Sequence, residues 1–256
     1  MQKISFLLLL ILVSCSITME KNTHKPYVVI MFDDGSKTVY QNAFPILKRY
    51  NFPATNAVVT KYVGGESTLS WAEVDTLTNI YGWETAAHTY SHPNFTQITN
   101  DELREDINIC LGDLNSHGYY PKTLAIPYGL VKAEQLPILQ EYFRNVRSVK
   151  DIHYHKPIDR YYLGCYLVNH YNSPLQVKER VFYAEEHQED LVVLLFHGID
   201  DSGREYTYPA QKFEEIIKDY PTLKPIEKFD ILPIKAEIDK TLELFKLIQP
   251  SLDYKF

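Results

Sequence analysis

Residues 27–35 read YVVIMFDDG, a run of six apolar and aromatic residues that ends in two aspartates and a glycine. Tyr27 to Phe32 is uncharged and rich in β-branched residues, which is typical of a parallel strand buried on both faces. Asp33 and Asp34 follow directly, and adjacent carboxylates repel each other unless a cation or a proton lies between them. The stretch therefore predicts a central strand with a charged exit. A solvated turn of Asp-Asp-Gly composition is the alternative.

Short apolar runs alternate with helical patterns from Lys25 onward. Because this alternation builds a parallel sheet with helices outside it, and barrels of the (β/α)8 type have about 250 residues, a single barrel related to that type fits best. Strands are predicted at residues 27–32, 54–59, 84–87, 123–126, 145–149, 162–168, 191–196 and 231–234. Helices are predicted at residues 39–50, 70–81, from 99 onward, 131–143, 173–189, 209–220 and 235–248.

Three of these helices carry a start signal in the sequence. Ser70 and Glu73, and likewise Thr99 and Glu102, have the spacing of a capping box. Ser173 is followed by a proline at the first helical position, where the missing N–H has no cost. These residues predict where the helices begin.

The composition is that of a folded globular protein, with 45% hydrophobic and 23% charged residues. Lys and Arg number 26 against 33 Asp and Glu, so the formal net charge is −7. A nucleic-acid-binding surface needs a basic face, and we therefore expect no nucleic-acid partner. The same composition excludes a disordered chain, a collagen and a multi-span membrane protein.

The N-terminus has the form of a secretory signal peptide. Lys3 precedes an apolar run that ends at Val13, which is shorter than the ~20 residues of a membrane span. Residues 12–15, LVSC, resemble the processing box of bacterial lipoproteins, whose cysteine is diacylated and becomes the new N-terminus. The resemblance implies a signal peptide over residues 1–14, a lipidated Cys15 that anchors the protein to a membrane of the bacterial cell envelope, and a tether over residues 15–25. An ordinary signal peptide with an incidental cysteine is the alternative.

The other two cysteines, Cys110 and Cys165, lack the close spacing of a metal-binding pair. Cys110 falls in a helical pattern and Cys165 in a strand pattern, so we expect both to be buried apolar residues. A disulfide between them stays open, since exported proteins can carry one.

Polar motifs also follow three other predicted strands, at the strand ends where such barrels carry their chemistry. His88 and His92 follow one strand, and Pro93 disfavours a helix there, so the two imidazoles form a loop pair. Tyr128 lies in a Pro-Tyr-Gly turn whose backbone N–H groups can point at a ligand. His197 ends the most apolar strand. Each motif alone has a structural alternative, a turn or a buried histidine.

Together the four motifs supply one carboxylate and two imidazoles for a metal ion, and a second carboxylate, a turn N–H and a third imidazole beside it. One carboxylate with two histidines leaves coordination positions open, which is the arrangement of a catalytic metal site. The pattern therefore predicts an enzyme with a metal centre at one rim of the barrel.

The motifs, in this order, resemble those of the polysaccharide deacetylases, the NodB homology domain of carbohydrate esterase family four. Residues 31–35 (MFDDG) resemble T-F-D-D-G, residues 88–92 (HTYSH) resemble H-[ST]-x-x-H, and residues 194–197 (LLFH) resemble L-x-x-H. The resemblance covers about residues 26–235. It implies a single domain, residues 26–256, with a deformed (β/α)7 barrel, and a metal-dependent hydrolase that removes N-acetyl groups from an amino-sugar polysaccharide or oligosaccharide.

The resemblance also implies a role for each motif residue. It implies three ligands for a divalent metal, usually zinc: Asp34, His88 and His92. Asp33 is then the general base, and His197 protonates the leaving amine. The backbone N–H of Tyr128 helps to stabilise the oxyanion.

Two features depart from the family pattern. Ala125 stands where the third motif usually begins with an arginine that orients the base, although branches with an A-x-P-[YF]-G form, among them deacetylases of exported poly-N-acetylglucosamine, are closer. The family's Asp-Trp segment, which tunes the catalytic histidine, has no match, since Trp71 and Trp83 lie early in the chain. Arg160, near the predicted strand 162–168, is the candidate for the missing guanidinium. A surface position for Arg160 is the alternative.

Two further functions stay open at this point. The second hypothesis is an O-acetyl esterase that acts on xylan or another acetylated glycan, because the family uses one site for amides and esters. A glycan-binding lipoprotein that has lost activity with its arginine is the third. The intact aspartates and histidines favour an enzyme.

Overall fold

The computed structural model describes the backbone of residues 25–222 and the side chains of residues 25–218. The proposed signal peptide and most of the tether, the strand at 231–234 and the helix at 235–248 lie outside these residues. Within residues 25–222, no helix has the length and apolar character needed to span a membrane.

Seven parallel strands form one curled sheet, the deformed (β/α)7 barrel that the sequence implied. They are β1 (Tyr27–Phe32), β2 (Thr55–Val58), β3 (Glu84–Ala87), β4 (Thr123–Ala125), β5 (Asn145–Arg147), β6 (Tyr166–Leu167) and β7 (Leu191–Phe196). The strand order is β5-β4-β3-β2-β1-β7-β6. Two short strands, β8 (Gly198–Ile199) and β9 (Thr207–Tyr208), pair with each other beyond β7.

The two most apolar strands of the sheet, β1 and β7, lie side by side. β1 and β7 pair along their whole length, from Tyr27 opposite Leu191 to Phe32 opposite Phe196. Because side chains alternate along a strand, one set packs inside the barrel and the other against the helices. In the outer set the ring of Phe32 lies 5.9 Å from those of Phe196 and Phe213.

Within residues 25–222, six α-helices surround the sheet: α1 (Phe44–Arg49), α2 (Trp71–Asp75), α3 (Asn100–Ser116), α4 (Leu136–Tyr142), α5 (Pro174–Glu186) and α6 (Ala210–Thr222). The capping boxes at Ser70 and Thr99 are formed, and Ser173 makes a third with Gln176. The predicted helices at 39–50 and 70–81 are only partly α-helical, because Val39–Ala43 and Thr76–Ile80 are π-helical. In the first of them Pro45 lacks the N–H that the helical ladder requires.

The barrel closes through an irregular segment instead of a regular strand. Leu163 donates its N–H to the carbonyl oxygen of Val146 on β5 and forms an isolated parallel β-bridge with Arg147. After this bridge, β6 pairs with β7. The strand predicted at 162–168 therefore shrinks to two residues and one bridge. Gly164 explains the kink, since a Cβ there would lie 1.8 Å from the Lys150 carbonyl oxygen.

Cys110 and Cys165 are both buried, as expected, and both are free thiols. Cys110 lies on α3 under the outer face of the sheet, and Cys165 lies in the closing segment inside the barrel. The two thiols thus belong to different packing clusters.

Candidate functional site

The four predicted motifs meet at one rim, where the carboxyl ends of β1, β3, β4 and β7 open into a common cavity. Its volume is about 320 Å³. Six predicted residues line it: Asp33, Asp34, His88, His92, Tyr128 and His197. The parallel register produces this convergence, since every strand of a parallel sheet ends at the same edge.

Asp34, His88 and His92 form the tightest cluster, with one potential ligand atom of each within 4.8 Å of the other two. Asp34 Oδ1 lies 3.3 Å from His88 Nε2 and 3.5 Å from His92 Nε2. Ligands held at ~2.0–2.1 Å from a tetrahedral zinc ion are about 3.4 Å apart, so the cluster has the spacing and the donor set of such a site. These residues therefore fit a divalent metal.

A second contact orients His88 for metal binding. Its Nδ1 lies 2.8 Å from the backbone carbonyl oxygen of Ala125. A carbonyl only accepts hydrogen bonds, so Nδ1 carries the proton and Nε2 presents its lone pair to Asp34 and His92. Metal-binding histidines are commonly fixed in this way.

The electrostatics of the cluster also suit a cation. Burial lowers the pKa of His88, but the Asp33 and Asp34 carboxylates outweigh this and raise it above its usual value. Burial raises the pKa of Asp34, yet the hydrogen bond and positive charge of His88 bring it down to about 2. Burial and His88 lower the pKa of His92, which keeps its imidazole neutral. The buried negative charge attracts either a proton or a metal ion at this place.

The loops that carry these residues adopt backbone conformations that side chains usually avoid. Asp34, Thr89, His92 and Tyr128 all have positive φ angles, between 58° and 69°. Such conformations cost about 1–3 kcal/mol each and persist where the surroundings enforce them. Their concentration in the predicted motifs marks this rim as the functional end of the barrel.

Asp106 of α3 holds the loop between the two histidines. Its carboxylate accepts hydrogen bonds from the Tyr90 N–H at 2.7 Å, the Ser91 N–H at 3.0 Å and the Ser91 hydroxyl at 2.5 Å. Because Asp106 is itself buried, this clamp fixes the path of the chain from His88 to His92. Asp106 was not among the residues predicted for the site.

Asp33 is engaged differently from Asp34. Arg147 Nη2 donates to both oxygens of the buried Asp33 carboxylate, at 2.6 and 2.5 Å. The prediction that Arg160 pairs with Asp33 is therefore corrected, because the guanidinium on Asp33 belongs to Arg147. Arg160 instead meets β5 through its backbone, where its carbonyl accepts the N–H of Val146.

The register of the sheet explains why Arg147 fits this place. Arg147 of β5 is the direct cross-strand partner of Ala125 on β4, so both side chains face the barrel interior. Ala57 and Ala86 face the same interior, and these small side chains leave room for the fully buried arginine. The overlooked signal was a charged residue in the middle of a predicted strand of the barrel, where a buried charge needs a partner.

His197 and Tyr128 both line the cavity. Burial lowers the pKa of His197, and its Nδ1 has no hydrogen-bond partner among the described residues. This agrees with the lack of a sequence match for the acidic segment that tunes this histidine in the family. The Tyr128 ring packs 4.7 Å from that of His92, while the Tyr206 ring lies 5.2 Å from that of His197.

Comparison with known protein sequences gives the same family as the motifs. Residues 20–143, just under half of the chain, match the family model described as polysaccharide deacetylase. The chain is 33% identical over 131 residues to the poly-beta-1,6-N-acetyl-D-glucosamine N-deacetylase of Staphylococcus aureus strain MRSA252. That match covers 46% of this chain and 45% of the relative, so the chain spans less than half the length of the curated relatives it matches.

Comparison with solved structures gives the same fold. The Xyl-CE4 domain of a multidomain xylanase from the hindgut metagenome of Trinervitermes trinervoides matches with a TM-score of 0.59 and 20% identity, over 90% of this chain and 96% of that one. A CE4 family pseudoenzyme from Bacillus anthracis matches with a TM-score of 0.58 and 13% identity, over 85% of this chain and 67% of that one. The fold alone therefore does not decide activity, which depends on the side chains at the rim.

Proposed function

We propose that this chain, whose residues 20–143 match the polysaccharide deacetylase family model, is a metal-dependent hydrolase that removes N-acetyl groups from an amino-sugar glycan. The observation that carries the proposal is the convergence of Asp34, His88 and His92 beside an Asp33 carboxylate that Arg147 holds. Two imidazoles and one carboxylate favour zinc as the metal. The Staphylococcus relative favours poly-N-acetylglucosamine as the glycan, with chitin-like chains and peptidoglycan as the other candidates.

Asp34, His88 and His92 would hold the metal. When bound, it would act as a Lewis acid that polarises the acetyl carbonyl and makes water a better nucleophile near neutral pH. Asp33 lies beside the cluster, 3.8 Å from His88 Nε2, and its two hydrogen bonds from Arg147 fix its orientation. Asp33 is therefore the base in our proposal.

In the proposed reaction, water adds to the acetyl carbonyl carbon while Asp33 takes one of its protons. The backbone N–H of Tyr128 is assigned to the oxyanion that develops on the carbonyl oxygen. The C–N bond then breaks as His197 donates a proton to the departing nitrogen. The products are acetate and a free amine, and the proton on Asp33 returns to His197 for the next cycle. The lowered pKa of His197 makes its imidazolium a stronger acid, which suits a poor leaving group.

The test is release of acetate from a panel of oligosaccharides: β-1,6- and β-1,4-linked N-acetylglucosamine, peptidoglycan fragments and acetylated xylan. Acetate with an equal amount of new free amine supports the proposal. Acetate from the xylan alone would replace it with an O-acetyl esterase. Bound metal with no acetate from any substrate would leave the non-catalytic, glycan-binding function.

We also propose that the protein is lipid-anchored at Cys15 in the bacterial cell envelope. The support is the LVSC box after a short apolar run. Two acyl chains give stable membrane anchoring where one does not. Cys15→Ala should release the protein from the membrane fraction or leave the precursor unprocessed. Unchanged retention, with cleavage at another residue, would contradict lipidation.

A further inference from the structure

The catalytic cavity continues into a second lobe of about 250 Å³. The two lobes share three residues, Asp34, His197 and Tyr206, so they meet at the candidate acid and a metal ligand. Apolar side chains of Ile126, Val149 and Leu167 line the first lobe. Polar groups of the loop that joins β8 to β9 line the second lobe. The cleft therefore has an apolar end and a polar end on either side of His197.

This difference orients a substrate, if the proposed function holds. His197 must reach the nitrogen that leaves, so the sugar that carries this nitrogen lies on the His197 side. The acetyl methyl group must then lie at the far, apolar side of the carbonyl, near Ile126 and Leu167. The polar second lobe is left for the sugar ring, whose hydroxyl groups need hydrogen-bonding partners.

The second lobe has suitable partners on a well-ordered loop. Arg204 is held in place, with Nε 3.1 Å from Ser202 Oγ and Nη2 3.4 Å from Asp200 Oδ2. The Thr207 hydroxyl donates to the Arg204 carbonyl, and pairing of β8 with β9 fixes both ends of the loop. Such internal bonds lower the entropy cost of ordering the loop on binding.

Glu205 and Tyr206 are the two side chains offered to a ligand. Glu205 is exposed, and within the described residues no ion pair engages its carboxylate. Tyr206 is half-exposed, and its ring stands beside that of His197 at the junction of the lobes. A carboxylate accepts hydrogen bonds from sugar hydroxyls or from an amine, and a tyrosine gives a rigid face with a polar edge.

We propose that the second lobe is the binding site for the hexosamine ring whose acetamide is cleaved, with Glu205 and Tyr206 as its specificity-determining residues. The inference rests on the proposed function and adds the direction in which the substrate lies. A small acetyl ester would need only the first lobe and the rim. An amino-sugar oligosaccharide would use both lobes, and its selectivity over the ester would come from the loop.

The experiment measures kcat/KM for two substrates, an N-acetylglucosamine oligosaccharide and 4-nitrophenyl acetate, in the metal-loaded protein. The proposal predicts that Glu205→Gln and Tyr206→Ala each lower the ratio of oligosaccharide to ester activity about tenfold, mainly through KM. Asp201→Asn is the matched control, because Asp201 is an exposed carboxylate of the same loop that does not line the lobe, and its ratio should stay at the wild-type value.

The outcomes separate the two proposals. If Glu205→Gln and Tyr206→Ala keep the same ratio as Asp201→Asn, the sugar does not lie in the second lobe, while deacetylation stands. If the wild-type protein hydrolyses the ester but releases no acetate from any oligosaccharide, the proposed function fails as well. Equal melting temperatures of the variants would establish that a changed ratio does not come from unfolding.

Discussion

The barrel wall is built differently in its two halves. From β1 to β4, at least one helical segment follows each strand, and the strands pair in regular parallel register. From β5 to β7 the wall is less regular, although β7 itself pairs fully with β1: the segment 148–165 contains no helix, and β6 has only two residues. Tyr154 stabilises this segment by donating its hydroxyl to the Gly164 carbonyl.

The two halves also divide the candidate site between them. The regular half supplies the metal ligands and Asp33, whose places follow from where strands end. The irregular half supplies Arg147, His197 and the loop from Asp200 to Tyr206, which orient the base and shape the cleft. The family match ends at residue 143, before β5. The difference teaches that in this chain the metal ligands depend on where regular strands end, whereas the support of the base and the shape of the cleft depend on the irregular wall.

The largest effect is expected from His88, because the whole metal cluster depends on it. His88→Ala removes a ligand fixed by the Ala125 carbonyl. We expect bound metal to fall well below one ion per chain and acetate release to be lost, as measured by elemental analysis and an acetate assay. His155→Ala, at an exposed histidine of the irregular half, is the control. Full metal occupancy in His88→Ala would contradict the assignment of the cluster.

The second effect concerns the ion pair between Arg147 and Asp33, which joins the two halves. Arg147→Ala leaves the Asp33 carboxylate without its guanidinium, and we expect kcat to fall about 10²-fold, the scale of lost general-base catalysis, at unchanged metal content. Because Ala125 is the cross-strand partner of Arg147, Ala125→Arg in the Arg147→Ala background should restore at least tenfold. Arg144→Ala, an exposed arginine beside β5, should have wild-type activity.

Two results would argue against this pairing. The first is a loss of metal together with turnover in Arg147→Ala, which would make the arginine a support of the cluster instead of the base. The second is an equal loss of turnover in Arg160→Ala at full metal content. Ala125→Met in the same background distinguishes a missing charge from a cavity, since it refills the space without a charge and should not rescue.

The same division explains what could be read from the sequence. Strand ends and capping residues are local signals, so β1, β7, the helix starts at Ser70 and Thr99, and the motif positions were all predictable. Arg147 was missed because its role depends on strand register, which places it opposite Ala125, 22 residues earlier in the chain. It also depends on which face of each strand points into the barrel. The length of β6 was overestimated because the close approach of Gly164 to Lys150 is a tertiary contact, which leaves no local pattern in the sequence.

A third effect tests how the regular half holds its ligands. Asp106→Asn replaces with a neutral amide the carboxylate that accepts three hydrogen bonds from Tyr90 and Ser91. Loss of such an outer contact typically lowers metal affinity 10–100-fold, and we expect a zinc Kd raised by that factor in a competition titration. Glu105→Gln, the exposed neighbour on α3, should keep wild-type affinity. Equal affinities in both variants would show that the loop is held without Asp106.

The smallest expected effect is a difference in local stability between the two halves, which the alkylation rates of their buried cysteines report. Burial raises the pKa of both Cys110 and Cys165 to about 12, so neither carries appreciable thiolate at pH 8. Alkylation then requires local opening of the surrounding structure. Cys110 lies on the 17-residue helix α3, whereas Cys165 lies beside a two-residue strand. We therefore expect Cys165 to open more readily.

The measurement is the rate of iodoacetamide labelling at each site, by mass spectrometry of the native protein with Cys15 replaced by serine. We expect both thiols to react far more slowly than in urea, with Cys165 reacting about tenfold faster than Cys110, which corresponds to ~1.4 kcal/mol less for its opening. Bound metal should slow the labelling of Cys165, because Arg147 ties the closing wall to Asp33 beside the metal ligands. Equal rates, or faster reaction of Cys110, would mean that the irregular wall is as firmly held as the regular one, and that its lack of helices has no cost in local stability.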